Sequence, residues 1–126
     1  MQNESSFLIS RDQARVIAAG LRTLSEVDGA DAGGKERALI EEFLRDAGHP
    51  DLIAAIGGDS FDPATAYQVL GTRFLRRLFL EAAVILVRSD GRVSEAEHEA
   101  LDWLSRGFGV DGGADALLAN TAAHQF

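Results

Sequence analysis

Apolar residues recur along this chain at helical spacing. Ala14, Ile17, Ala18, Leu21 and Leu24 follow the i, i+3, i+4, i+7 pattern of one buried helix face. Ser10 stands before them as an N-cap, and Gln13 completes a capping box. Asp28-Gly29 marks the end of this helix, since Gly readily takes the left-handed conformation of a helix stop. A second helix is expected over 35–47, with Ala38, Leu39, Phe43 and Leu44 inward and Gly48 and Pro50 closing it. Asp51 then caps a short apolar piece, 52–56, before Gly57-Gly58.

Asp62-Pro63 is another helix start, an acidic N-cap followed by Pro at the first helical position, with Tyr67, Val69 and Leu70 to bury. Gly71-Thr72 separates it from a main helix over 73–89. At about 100° per residue, Arg73, Arg77, Glu81 and Arg88 fall in one strip roughly 80° wide, which also takes in Val84. Almost everything else on this helix is apolar, so it is expected to be central and packed on several sides. Asp90-Gly91 ends it. Ser94-Glu-Ala-Glu97 is a capping box for the next helix, which buries Leu101, Leu104 and one side of Trp103 and stops at Gly107 and Gly109. A short last helix is expected over 115–119, followed by a fraying tail, 120–126. At the other end, Phe7, Leu8 and Ile9 are expected to tuck a polar start against the body. No stretch alternates with period two. The expected fold is all-α: a single compact domain over 1–126, with about six to eight helices.

The two halves align at a shift of 62 residues: Arg11 on Arg73, Arg15 on Arg77, Ile17 on Phe79, Leu24 on Leu86, Asp28-Gly29 on Asp90-Gly91 and Ala38-Leu39 on Ala100-Leu101. Each half, about 11–57 and about 73–119, then reads as a helix, an Asp-Gly turn, a second helix and a short third piece. Neither unit can hide its apolar face alone, so a pseudo-twofold duplication packed on itself is expected. An apolar helix followed by S-D-G-R-V-S-E-A-E-H-E-A-L resembles the TerB-like family, named for a bacterial tellurite-resistance protein; the resemblance spans about 11–109. It implies an all-helical, internally duplicated domain with an acidic-Gly turn after each long helix. It also implies a place in stress-response or membrane-associated complexes, with metal bound through acidic residues. The first copy departs from the pattern, with Ala30-Asp-Ala-Gly-Gly34 in place of the Val-Ser-Glu segment.

Composition narrows the partners. The 126 residues hold 46% hydrophobic and 25% charged residues and a net charge of -8, as in an ordinary soluble domain that repels phosphate backbones, so no nucleic-acid partner is expected. The absence of cysteine removes disulfides, thiolate zinc sites and cysteine nucleophiles. The start, MQNESSFLIS, lacks the basic and apolar regions of a signal peptide, and the apolar run of 78–87 is too short to span a bilayer. A cytoplasmic protein is expected, meeting membranes only through a partner.

Chemical candidates are few. With Gly91 at the glycine of an EF-hand loop, Glu97 falls at the final ligand position, but the first and third ligands become Leu86 and Arg88. In the first copy Lys35 takes the place of the final Glu, so an EF-hand is excluded. A looser site for Ca²⁺, Mg²⁺ or Mn²⁺ would use Asp28 and Asp90 with Glu26 and Glu81. Against it stands the capping reading, in which the aspartates end helices and Glu81 pairs with Arg77 or Arg88. His49, His98 and His124 lack metal-ligand spacing and read as surface residues, and Glu41-Glu42 as solvated. An exposed aromatic edge at Trp103 or Phe108 would mark a partner surface. The leading expectation is a non-catalytic module that binds a protein, with a divalent cation as an added element. The alternatives are a small-ligand or enzymatic pocket between the repeats using Glu81, Asp90 or Asp28, and a structural homo-oligomer subunit.

Overall fold

Local capping chemistry sets the helix starts. In a computed structural model that describes residues 9–27, 33–55, 61–88 and 93–123, six helices follow one another: α1 (Arg11–Ser25), α2 (Gly33–Asp46), α3 (Pro63–Leu70), α4 (Arg73–Val87), α5 (Glu95–Gly107) and α6 (Gly113–Ala123). A 3-10 turn, Pro50–Ala55, lies between α2 and α3. No strand occurs among the described residues. At the start of α1, the Gln13 N–H donates to Ser10 Oγ at 3.1 Å and the Ser10 N–H donates to Gln13 Oε1 at 3.0 Å. Ser94 and Glu97 repeat this box at α5. Asp62 caps α3 ahead of Pro63, and Thr72 caps α4. These are the starts that the sequence signals.

Element boundaries keep the 62-residue spacing. Ser10 and Thr72 cap α1 and α4, which are both 15 residues long and end against Glu26 and Arg88. α2 and α5 begin at Gly33 and Glu95. Past that point the halves diverge. The third piece is a six-residue 3-10 turn in the first half and an 11-residue helix in the second. α6 thus runs well beyond the short piece expected over 115–119, and the segment expected to fray is helical as far as Ala123.

The core forms where α1 meets α4, with α3, α5 and α6 packed around them. Ile17, Leu24, Leu44, Leu70, Phe79, Leu86, Leu101 and Leu104 are all nearly or fully buried. Gly20, in the middle of α1, lets this happen. A Cβ built there would lie 2.5 Å from the Phe79 ring and 2.8 Å from the Phe61 ring. Phe79 therefore lies directly against the α1 backbone. Gly107 plays a similar part where the end of α5 meets α3, because a Cβ there would lie 2.6 Å from Pro63.

Three burial assignments differ from expectation. On α2 Ala38 is exposed and Ile40 is buried, so the inward face lies further round the helix and includes Ile40 and Leu44. On α4 Val84 is buried despite its place in the charged strip. Phe74 and Ile85, read as part of the wide apolar arc of a helix packed on several sides, are 57% and 53% exposed.

Phe79→Ala is expected to lose about 3–5 kcal/mol, the usual cost of emptying an aromatic core position. Ile85→Ala should change stability by no more than about 0.5 kcal/mol. Urea unfolding of both variants checks the contrast, and equal losses would contradict the burial described.

Candidate functional site

The acidic turns are the first place to look for chemistry. Glu26 is the C-cap of α1; its N–H meets the last carbonyls of the helix, and its carboxylate takes the Arg22 guanidinium at 2.8 Å. Glu81 Oε2 accepts from Arg77 Nε at 3.1 Å along α4. Both side chains are thus engaged in i,i+4 ion pairs. Asp28 and Asp90, the other two members of the proposed cation set, lie outside the described residues. Among the described residues no group of three or more acidic or histidine side chains is placed to hold a metal ion. Glu41 is shared between Arg37 at 2.9 Å and Arg45 at 3.6 Å, in keeping with a solvated surface role.

The structure gathers polar groups elsewhere, at the junction of α5 and α6. Asp102 Oδ1 accepts from the Ala114 N–H at 2.9 Å, and its Oδ2 accepts from Arg106 Nε at 2.8 Å. Asp102 on α5 therefore caps α6 from outside it. Gly113 makes room: its φ is +64, and a Cβ there would overlap Asp102 Oδ1. One turn earlier on α5, His98 Nε2 lies 2.8 Å from Asp115 Oδ1 in the first turn of α6. His98, read as a plain surface residue, is thus a tie between two helices. His49 is likewise engaged, its Nε2 lying 2.9 Å from the Ile9 carbonyl oxygen. Behind this junction Ser105 is fully buried and donates to the Asp102 carbonyl at 3.2 Å.

This clasp responds to pH at both ends. The Ala114 N–H and then the Arg106 guanidinium hold the Asp102 carboxyl below its ordinary value. A lowered carboxyl contributes stability above that range and loses it as pH falls through the folded-state value. The hydrogen bond to Asp115 raises His98 above its ordinary value, with Asp102 and Glu99 acting in the same direction through their charge. A raised histidine contributes fully below its unfolded value and loses that contribution as pH rises through the folded one.

Aromatic rings make a second feature. Phe79 meets Phe108 at 5.4 Å and Phe61 at 5.7 Å between centroids. Phe108 continues edge-on to Tyr67 at 5.7 Å, and the Arg76 guanidinium lies 3.5 Å from the Tyr67 centroid. In the other direction Phe61 meets Trp103 edge-on at 6.1 Å. A line of rings thus runs from the buried Phe79 out to Trp103, which is 49% exposed, while Phe108 is buried. Of the two aromatic residues singled out in the sequence, Trp103 has the exposed edge.

No helix among the described residues is long and apolar enough to cross a membrane. Comparison with family models, with curated proteins and with solved structures finds no match. The class of protein established by the described residues is therefore an all-helical domain.

Two measurements follow. Thermal melts should show His98→Gln losing the stability decline that the wild type undergoes as pH rises above about 6.5. Asp102→Asn should lower the melting temperature at neutral pH and flatten the loss on acidification; an unchanged pH profile in both variants would contradict the clasp. Calorimetric titration with Ca²⁺, Mg²⁺ and Mn²⁺ separates the two halves of the cation set. Because Glu26 and Glu81 are held by arginines, any heat of binding should survive Glu26→Gln/Glu81→Gln and disappear in Asp28→Asn/Asp90→Asn.

Proposed function

We propose that this chain is a non-catalytic, TerB-like binding module whose partner is another protein, met at Trp103. The carrying observation is the exposed Trp103 indole resting edge-on against Phe61, which is itself packed on the buried Phe79. A large ring fixed before binding loses little freedom on docking, and Trp is enriched among residues that dominate interface energies. Glu99, exposed four positions before it on α5, places negative charge nearby, so a basic partner surface complements it.

The non-catalytic reading is supported by the character of the core. The buried polar side chains among the described residues are Glu97 and Ser105. Glu97 serves the α5 capping box and Ser105 bonds to the Asp102 carbonyl, so neither is held in reserve for acid–base chemistry. The TerB-like assignment and the internal duplication draw support from the common spacing of the element boundaries, and from the acidic-Gly turns in the sequence. A role in tellurite or other stress responses rests on that resemblance alone. A cation at Asp28 and Asp90 would add to the module without being the basis of its binding.

Enrichment of partners from native extract, with the whole chain as bait, tests the proposal. A protein retained by the wild type and lost with Trp103→Ser is expected, while the variant's melting temperature stays within a few degrees of the wild type. Retention of the same protein by both baits would overturn the role of Trp103.

A further inference from the structure

The Trp103 edge stands on a face of α5 whose neighbouring residues are small. Val93, just before the helix, and Ala96, Ala100 and Trp103 on it follow one another in steps of three, four and three, the spacing of a helix–helix seam. Trp103 is 49% exposed, and Val93, Ala96 and Ala100 are half-buried. The two alanines thus make a shallow shelf, with the Trp103 ring at one end. Beyond the ring the shelf is closed, because Phe61 abuts Trp103 edge-on and Pro63 sits against Gly107. At about 100° per residue, Ala96 and Ala100 lie about 20° and 60° to one side of Trp103, and Glu99 and Glu95 about 40° and 80° to the other. The two glutamates are exposed, one turn apart. Among the described residues neither is bonded to a basic side chain, whereas Asp102, the next acid along this rim, is taken by Arg106 at 2.8 Å.

We propose that the partner met at Trp103 presents a short amphipathic helix to this face, with large apolar residues on the alanine shelf and basic residues toward Glu95 and Glu99; this rests on the reading of Trp103 as the partner-binding edge. Backbone chemistry selects a helix over an extended strand. An added strand needs an open sheet edge for its N–H and C=O groups, and no strand occurs among the described residues. A helix satisfies those groups internally. Small residues let its axis approach to roughly 8 Å, and its apolar side chains at i, i+3 and i+7 then fill the space beside the indole.

Charge selects the basic face. Glu95 and Glu99 repeat at about 6 Å, the same interval as residues four apart on the incoming helix, so two Lys or Arg side chains one turn apart meet both. An acidic segment would meet them with like charge. The chain's net charge of -8 also draws a basic segment in from a distance. From Val93 to Trp103 the face is about 15 Å long, which sets the docked segment at about three turns.

Trp103 is the single tryptophan of the chain, so its emission reports on this face alone. Two synthetic peptides of about 12 residues and identical Leu, Lys and Ala composition are the probes, one ordered with helical period and the other with strict alternation. Titrated into the whole chain, the helical-period peptide should shift the emission to the blue, saturate, and bind at least about tenfold more tightly than the alternating one. Glu95→Gln/Glu99→Gln should weaken it by about threefold to tenfold and flatten its salt dependence. Ala96→Gln, a helix-compatible change on the shelf, should weaken it by about tenfold with the melting temperature unchanged. No saturable shift with either peptide would overturn the docking face, and equal affinity for the two would overturn the helical occupant. Undiminished binding in Glu95→Gln/Glu99→Gln would overturn the basic rim, and in Ala96→Gln the shelf. With Trp103→Ser, binding is followed by the anisotropy of a labelled helical-period peptide and should be lost. Undiminished binding there would overturn the Trp103 reading itself, whereas its loss without any preference for helical period would overturn the helical occupant alone.

Discussion

The Phe79 ring occupies the space that a side chain on Gly20 would need, and much of the domain is arranged around that contact. Two long helices that meet with ordinary side chains between them stand about 8–10 Å apart. A glycine in one lets a ring of the other reach its backbone. Phe79 is fully buried, and the two rings it touches, Phe61 and Phe108, come from the residues just before α3 and just after α5. Elements distant in sequence therefore fix their positions against one ring, and that ring is placed by the absence of one Cβ. A mid-helix glycine costs about 1 kcal/mol in helix propensity, which the packing it permits more than offsets.

From this centre the structure leads outward by two routes. The rings pass through Phe61 to Trp103 and present a rigid aromatic edge at the surface. The backbone of α5 leads to the clasp on α6, where Asp102, Arg106, His98 and Asp115 join two helices through mostly exposed groups. Exposed ion pairs contribute little individually, so the clasp orients α6 more than it stabilises the domain. The proposed activities are thus those of surfaces, consistent with a core whose described buried side chains are almost all apolar.

Legibility in the sequence followed the range of the interactions. Ser10 with Gln13, Ser94 with Glu97, and Asp62 before Pro63 act over three residues or fewer, and each start is written in the local sequence. The 62-residue spacing of α1 and α4 was visible in residues of the helices themselves, Arg11 with Arg73 and Arg15 with Arg77. Long-range placement was not. The shift from Ala38 to Ile40 on α2 depends on which neighbour covers that helix. The exposure of Ile85 depends on how the neighbouring helices pack against α4. The bond from Asp102 to the Ala114 N–H spans twelve positions and that from His98 to Asp115 spans seventeen, with no local pattern to announce either. Asp115 in a first turn was a weak sign, because any acid is favourable there. Glu26 and Glu81 looked like oxygen ligands in a list of acids, yet each has an arginine four positions away that takes it.

The central claim is that Gly20 exists for Phe79, and a double-mutant cycle on these two residues tests it most directly. Helix propensity alone makes Gly20→Ala stabilising by about 1 kcal/mol. The close approach of α1 and α4 predicts the opposite sign in urea unfolding, a loss of about 1–3 kcal/mol from overpacking against a ring that is itself hemmed in. In a Phe79→Leu background the same Gly20→Ala change should lose most of that penalty. A stabilising Gly20→Ala in the wild type, or a penalty unchanged by Phe79→Leu, would contradict the account.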